Sequence, residues 1–263
     1  MPTIIENPQV ESIHQEINKP WSAKATLALT LLTFILYFII SIIVLGVAAG
    51  IEVVTSGQNP EDALTLGSEF GQKLAIDGDF NAMNYLITAL CLSPLIFHFA
   101  KRKKVTTAAA YLGFDKYPNK ATFINFNLAI IGYFIFSYFA SNTLGIETPQ
   151  SMIDIYNSTD YLLLLFIAVV IAAPIFEEII FRGFIFKGLE SSPLGVVGAI
   201  IITSILFTLI HSGQYDLSVL AILFPLAVII GLARYRSSGI YLPIYLHFVN
   251  NLYSSLQLYL FMD

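Results

Sequence analysis

Long apolar runs, separated by short polar stretches, set the pattern of this chain. Seven runs approach or exceed the ~20 residues that a helix needs to cross a bilayer. They cover roughly 25–50, 81–100, 121–140, 161–181, 194–211, 217–233 and 240–261. Each predicts a membrane helix, because lipid forces backbone hydrogen bonds to close within each segment. The first run is much longer than the roughly 7–15-residue core of a cleaved signal peptide, so it reads as a retained helix. No repeat of 20–50 residues is visible, and few polar stretches are long enough for a separate soluble domain. The expectation is an all-α, polytopic transmembrane bundle of about seven spans. A polar tail over 1–24 precedes one transmembrane domain over 25–263.

Composition agrees with that picture. The 263 residues are 56% hydrophobic and only 12% charged, with a mean hydropathy of +0.74, far from a soluble domain. One cysteine, Cys91, builds neither a disulfide framework nor a cysteine metal cluster.

The distribution of charge says more than its total of -5. Twelve of thirteen Lys and Arg fall in the tail, the 101–120 loop, the 182–190 stretch and the 234–238 loop. Lys73 alone falls on the other side, among Glu52, Glu61, Asp62, Glu69, Asp77 and Asp79. The positive-inside rule then puts the N-terminus in the cytoplasm and Asp263 outside. KRKK at 101–104 adjoins a span, so it reads as a topology signal rather than a nucleic-acid patch. The expected location is a cell membrane, multi-pass. The richness in Ile, Asn, Phe and Tyr points to a bacterial plasma membrane.

Ionisable groups within membrane helices are costly, on the order of 2.5–3.5 kcal/mol each, and mark function by default. Three such places lie in the C-terminal half. In FEEIIFRGFIF, residues 176–186, Glu178 and Arg182 are spaced i, i+4 and can pair along one helix face, while Glu177 points elsewhere. The competing reading is a helix that ends at the cytoplasmic surface with Arg182 and Lys187 as flanking charges. In FTLIH, residues 207–211, Phe207 and His211 share a face, although a histidine at a helix end is commonly just interfacial. In HFVNN, residues 247–251, His247 and Asn251 share a face that Asn250 can reach. Polar residues there also suit helix–helix glue. Together the three stretches supply a carboxylate base, a second proton carrier and imidazole or amide donors. Those are the parts for attack of water on a carbonyl.

Spacing predicts a partial meeting. Glu177 lies 17 residues before Leu194 and His211 lies 17 after it, so an antiparallel pair puts them at similar depth. His247 is eight residues past Gly239, about 12 Å of helix, against about 25 Å for His211 from its own turn. A tilted or broken helix is expected to close that gap, with Pro225 as the place for the break.

EExxxR (Glu177, Glu178, Arg182), FxxxH (Phe207, His211) and HxxxN (His247, Asn251), in that order on successive apolar helices, resemble the CPBP intramembrane protease family. That family includes type II CAAX prenyl proteases and bacterial Abi-type proteins, and the resemblance covers about residues 160–255. It implies a helical-bundle endopeptidase with its site sunk in the membrane, acting on a membrane-associated peptide or protein. By motif position, Glu177 and His211 would activate water, His247 and Asn251 would stabilise the oxyanion, and Glu178 and Arg182 would support the site. The family has been treated as metal-dependent. Glu177, His211 and His247 would supply three zinc ligands, but a metal-free mechanism with no cofactor is favoured, since no H-E-x-x-H pair is present. The alternative function is a non-catalytic, Abi-type bacteriocin-immunity or peptide-binding membrane protein. A proton-relaying transporter is a third reading, disfavoured by the absence of a repeat.

Overall fold

All seven apolar runs form helices, and three shorter helices fill polar stretches between them. The computed structural model describes residues 19–57, 63–103 and 106–261. Most of the polar tail, with Glu6, Glu11, His14 and Glu16, lies outside the described residues, as do Glu61, Asp62, Lys104 and Asp263. In chain order the helices are α1 (Ala23–Thr55), α2 (Ala63–Ala75), α3 (Gly78–Arg102), α4 (Ala108–Leu112), α5 (Lys120–Leu144), α6 (Gln150–Asn157), α7 (residues 162–190), α8 (Gly195–Ile210), α9 (Leu217–Ser237) and α10 (Tyr241–Phe261). No strand occurs among the described residues.

Five helices (α1, α3, α5, α7 and α9) are long and apolar enough to cross a membrane. α8 is apolar but has 16 residues, about 24 Å of helix. α10 has 21 residues but carries His247, Asn250, Asn251 and Gln257, which dilute its apolar character. The outer faces suit lipid: Leu31, Phe38 and Ile42 on α1, Leu128 and Phe139 on α5, and Val197 on α8 are all exposed. An apolar surface of this extent marks contact with a membrane.

The helix starts follow local capping rules. Ser22, Asp77, Thr107 and Asn119 each accept a backbone N–H from the first turn of their helix, relieving donors that a helix leaves unpaired. α3 is fastened at its start to the approach to α7. Asp79 accepts the backbone N–H groups of Asp160 and Tyr161 at 3.1 and 3.0 Å, and Ser158 accepts that of Gly78 at 3.0 Å. α1 crosses α7 at Gly188, where an added Cβ would overlap the Thr26 side chain. The main core joins α3, α4, α7 and α8, and a second cluster joins α5, α9 and α10.

α7 is the central and most buried of the candidate spans. It holds two π-helical stretches, Ile167–Ala172 and Ile179–Ile185. Each widens the turn and redirects the side chains that follow, a feature that recurs at functional sites.

Candidate active site

The second π stretch begins directly after Glu177 and Glu178, and every residue in it is buried. Glu178 and Arg182 are both fully buried. Arg182 Nη1 donates to Glu178 Oε1 at 2.9 Å, so the predicted i, i+4 pair forms. The chain continues as helix to Glu190, and Arg182 within it is an interior side chain rather than a flanking surface charge. Arg182 Nη2 donates to the Ala227 carbonyl of α9 at 2.9 Å, and its guanidinium lies 4.7 Å from the Phe207 ring centre. Arg234, also buried, donates from Nε to the Arg182 carbonyl at 2.8 Å. Arg182 and Arg234 are therefore interior cations, and neither belongs in the surface charge count that the positive-inside rule uses.

His247 reaches the same carboxylate from α10. Its Nδ1 lies 2.9 Å from Glu178 Oε1. A carboxylate oxygen already taken by Arg182 is an acceptor, so Nδ1 carries the proton and Nε2 faces away. That Nε2 stands 4.0 Å from Glu177 Oε2, beyond a direct hydrogen bond. Glu177 Oε1 accepts the Tyr85 hydroxyl of α3 at 3.1 Å. Glu177 Oε2 is buried with no hydrogen-bond partner among the described residues.

His211 caps the end of α8, and its Nδ1 lies 2.8 Å from the Phe207 carbonyl. A carbonyl only accepts, so this imidazole too holds its proton on Nδ1 and presents Nε2. The Phe207 ring sits between the two histidines, 4.9 Å from His211 and 5.4 Å from His247 centre to centre. Tyr215 stacks on His211 at 5.7 Å. Burial, and secondarily the nearby Glu177 carboxylate, push the Tyr215 phenol up, so it stays a neutral donor at cellular pH.

Asn251 is placed differently. Its Nδ2 donates to the Val169 carbonyl in the first π stretch at 2.9 Å, and Asn250 Nδ2 donates to Asn251 Oδ1 at 3.2 Å. Pro174 explains the demand for that donor. It has no N–H, so a carbonyl one wide turn earlier lacks its usual partner, and Val169 is five residues before it.

The expected mismatch in depth assumed that both inter-helix turns lie at one level, and they do not. α10 starts beside Gly183, where an added Cβ would stand 3.3 Å from Ile240 Cδ1. Ile240 N donates to the Gly113 carbonyl at 2.9 Å. From Gly183 back to Glu177 is six residues and from Ile240 to His247 is seven, about 9 and 11 Å of helix. His247 therefore arrives at the level of the two glutamates. α9 runs continuously through Pro225, so the gap closes through the sunken α9–α10 turn rather than by a break there.

The sequence reading missed Tyr85, Tyr215 and Arg234. Aromatics within apolar runs look like packing or lipid-facing residues, and Arg234 looks like a flanking cation. A signal existed only for Tyr215, four residues past His211. Zinc needs three or four ligands, and no three His, Cys, Asp or Glu side chains come together to hold a metal ion among the described residues.

Comparison with known proteins finds a family model that matches part of the C-terminal half of the chain. Residues 159–253 match the family described as Type II CAAX prenyl endopeptidase Rce1-like, in keeping with the resemblance seen over about 160–255. A protein of Escherichia coli described as an uncharacterized 24.3 kDa protein is 39% identical over 87 residues, which is 32% of this chain and 40% of that relative. The chain thus spans two fifths of the length of the relative it matches. No solved structure matches.

Proposed function

We propose that the protein is an intramembrane endopeptidase, cutting a membrane-associated peptide or protein by a metal-free mechanism. The observation that supports this reading is that Glu177 Oε2, buried and without a hydrogen-bond partner among the described residues, lies 4.0 Å from His247 Nε2. A reacting atom to one side of the line joining them would be within hydrogen-bond reach of both base and donor.

In this mechanism Glu177 takes a proton from the attacking water as oxygen bonds to the scissile carbonyl carbon. His247, anchored through Nδ1 on Glu178, offers a protonated Nε2 to the carbonyl oxygen as it gains charge. His211 presents Nε2 as the second proton carrier, and the Glu177 proton passes through it to the leaving amine when the C–N bond breaks. Asn251 keeps one amide hydrogen after serving Val169 and is assigned a supporting role at the oxyanion. This reading puts the protein in a cell membrane with its N-terminus in the cytoplasm, supported by the apolar helices and the charge distribution.

The decisive experiment compares membrane peptides from cells carrying wild type and Glu177→Gln at equal expression. Glutamine keeps size and much of the hydrogen bonding but cannot act as the base. A peptide pair that appears only with wild type identifies the substrate and the cut bond. Identical peptide sets, with a cellular phenotype that survives both Glu177→Gln and His211→Ala, refute proteolysis and favour a binding or immunity role. Loss of cleavage by purified protein on chelation, with stoichiometric metal by elemental analysis, refutes the metal-free mechanism.

A further inference from the structure

The family match begins at residue 159, and the motifs all lie beyond it. Yet Glu177 is hydrogen-bonded by Tyr85 of α3 at 3.1 Å, and Tyr37 of α1 lies within electrostatic range of the same carboxylate. Tyr85 is locked in place. Its ring meets Phe176, the neighbour of Glu177, edge to face at 6.2 Å and 82°. The bonds from Asp79 to Asp160 and Tyr161 fix α3 against the start of α7, so the phenol is held on the same frame as the base.

The consequence falls on the two oxygens of Glu177. One accepts the phenol. The other has no hydrogen-bond partner among the described residues and faces His247. A single donor on Oε1 stops the carboxylate from rotating and leaves Oε2 as the oxygen that reacts. Ordering of this kind acts on the chemical step more than on substrate binding.

We propose that Tyr85 is a positioning residue for Glu177, so that α3, outside the family-matched segment, completes the site. This rests on the endopeptidase reading. The test uses full-length protein with Tyr85→Phe, which deletes only the hydroxyl, and with 3-fluorotyrosine at 85, a stronger donor that keeps the shape. The kinetic probe is a synthetic peptide spanning the bond found by the Glu177→Gln comparison. The spectroscopic probe needs no substrate: the carboxylate infrared band of Glu177, isolated by subtracting the Glu177→Gln spectrum from that of glutamate-labelled protein.

Tyr85→Phe is expected to shift that band and to lower kcat about tenfold to hundredfold with KM within about twofold, the scale of one hydrogen bond to a charged group. Fluorotyrosine is expected to move the band the opposite way. An unmoved band in both variants overturns the proposal, and so does a shifted band with kcat unchanged. If Tyr85→Phe does not fold, the fluorotyrosine protein decides alone, by its band and its kcat. If Glu177→Gln still cleaves, Glu177 is not the base and the positioning role falls with it; if wild type cuts no membrane peptide, the endopeptidase reading fails instead. The infrared band then still reports separately whether the Tyr85–Glu177 bond exists.

Discussion

Removing Arg182 alone should destabilise the protein more than removing the whole ion pair of which it is part. Arg182 and Glu178 are fully buried and joined at 2.9 Å. Arg182 also donates to the Ala227 carbonyl at 2.9 Å and packs 4.7 Å from Phe207. Arg182→Met keeps most of the apolar stem but strands the Glu178 charge between π-helical backbone and His247. Breaking a buried pair from one side costs about 3–5 kcal/mol. Replacing both partners, as in Glu178→Leu with Arg182→Met, removes the stranded charge and is often nearly neutral. What remains is His247 Nδ1 without its acceptor, worth about 1–3 kcal/mol. The double variant should therefore be about 2 kcal/mol more stable than Arg182→Met. Reversible unfolding of purified protein in mixed micelles, followed by helical circular dichroism, measures both. The reasoning is refuted if Arg182→Met lies within about 1 kcal/mol of wild type, as an exposed pair would, or if the double variant is the less stable of the two.

Three further outcomes are expected. His211→Ala should lower the cleavage rate by about 10²–10⁴-fold, the usual worth of a proton-transfer group, with unfolding little changed, measured on the peptide that wild type cuts. Asn251→Leu should destabilise by about 1–3 kcal/mol because the Val169 carbonyl loses its donor, and Pro174→Ala in the same chain should recover part of that loss by restoring an N–H. Gly188→Ala should destabilise by about 1–3 kcal/mol through overlap with Thr26, and Thr26→Gly should relieve it; a Gly188→Ala protein as stable as wild type would show that α1 does not pack there.

The positions of the seven main helices were legible because run length and apolarity are properties of each segment by itself. A membrane helix closes its own hydrogen bonds, so the helical segments are marked before any neighbour is known. The Glu178–Arg182 pair was legible for the same reason, since an i, i+4 contact needs only one helix. The three motifs marked the helices whose polar side chains come together, α7, α8 and α10.

Tertiary structure decided the rest. Counting residues from each turn put His247 and His211 at different depths, because the count could not see that the α9–α10 turn is sunk beside Gly183 and Gly113. The partners of Glu177 were hidden as well. Tyr85 is 92 residues away, and a tyrosine in an apolar run gives no sign of whether its hydroxyl meets lipid headgroups or a carboxylate. The work of Asn251 became visible only with the π stretch before Pro174. One chain's sequence records what each helix is made of; the level and rotation at which helices meet depend on close packing between distant side chains, and that packing brings the Tyr85 hydroxyl to Glu177 Oε1.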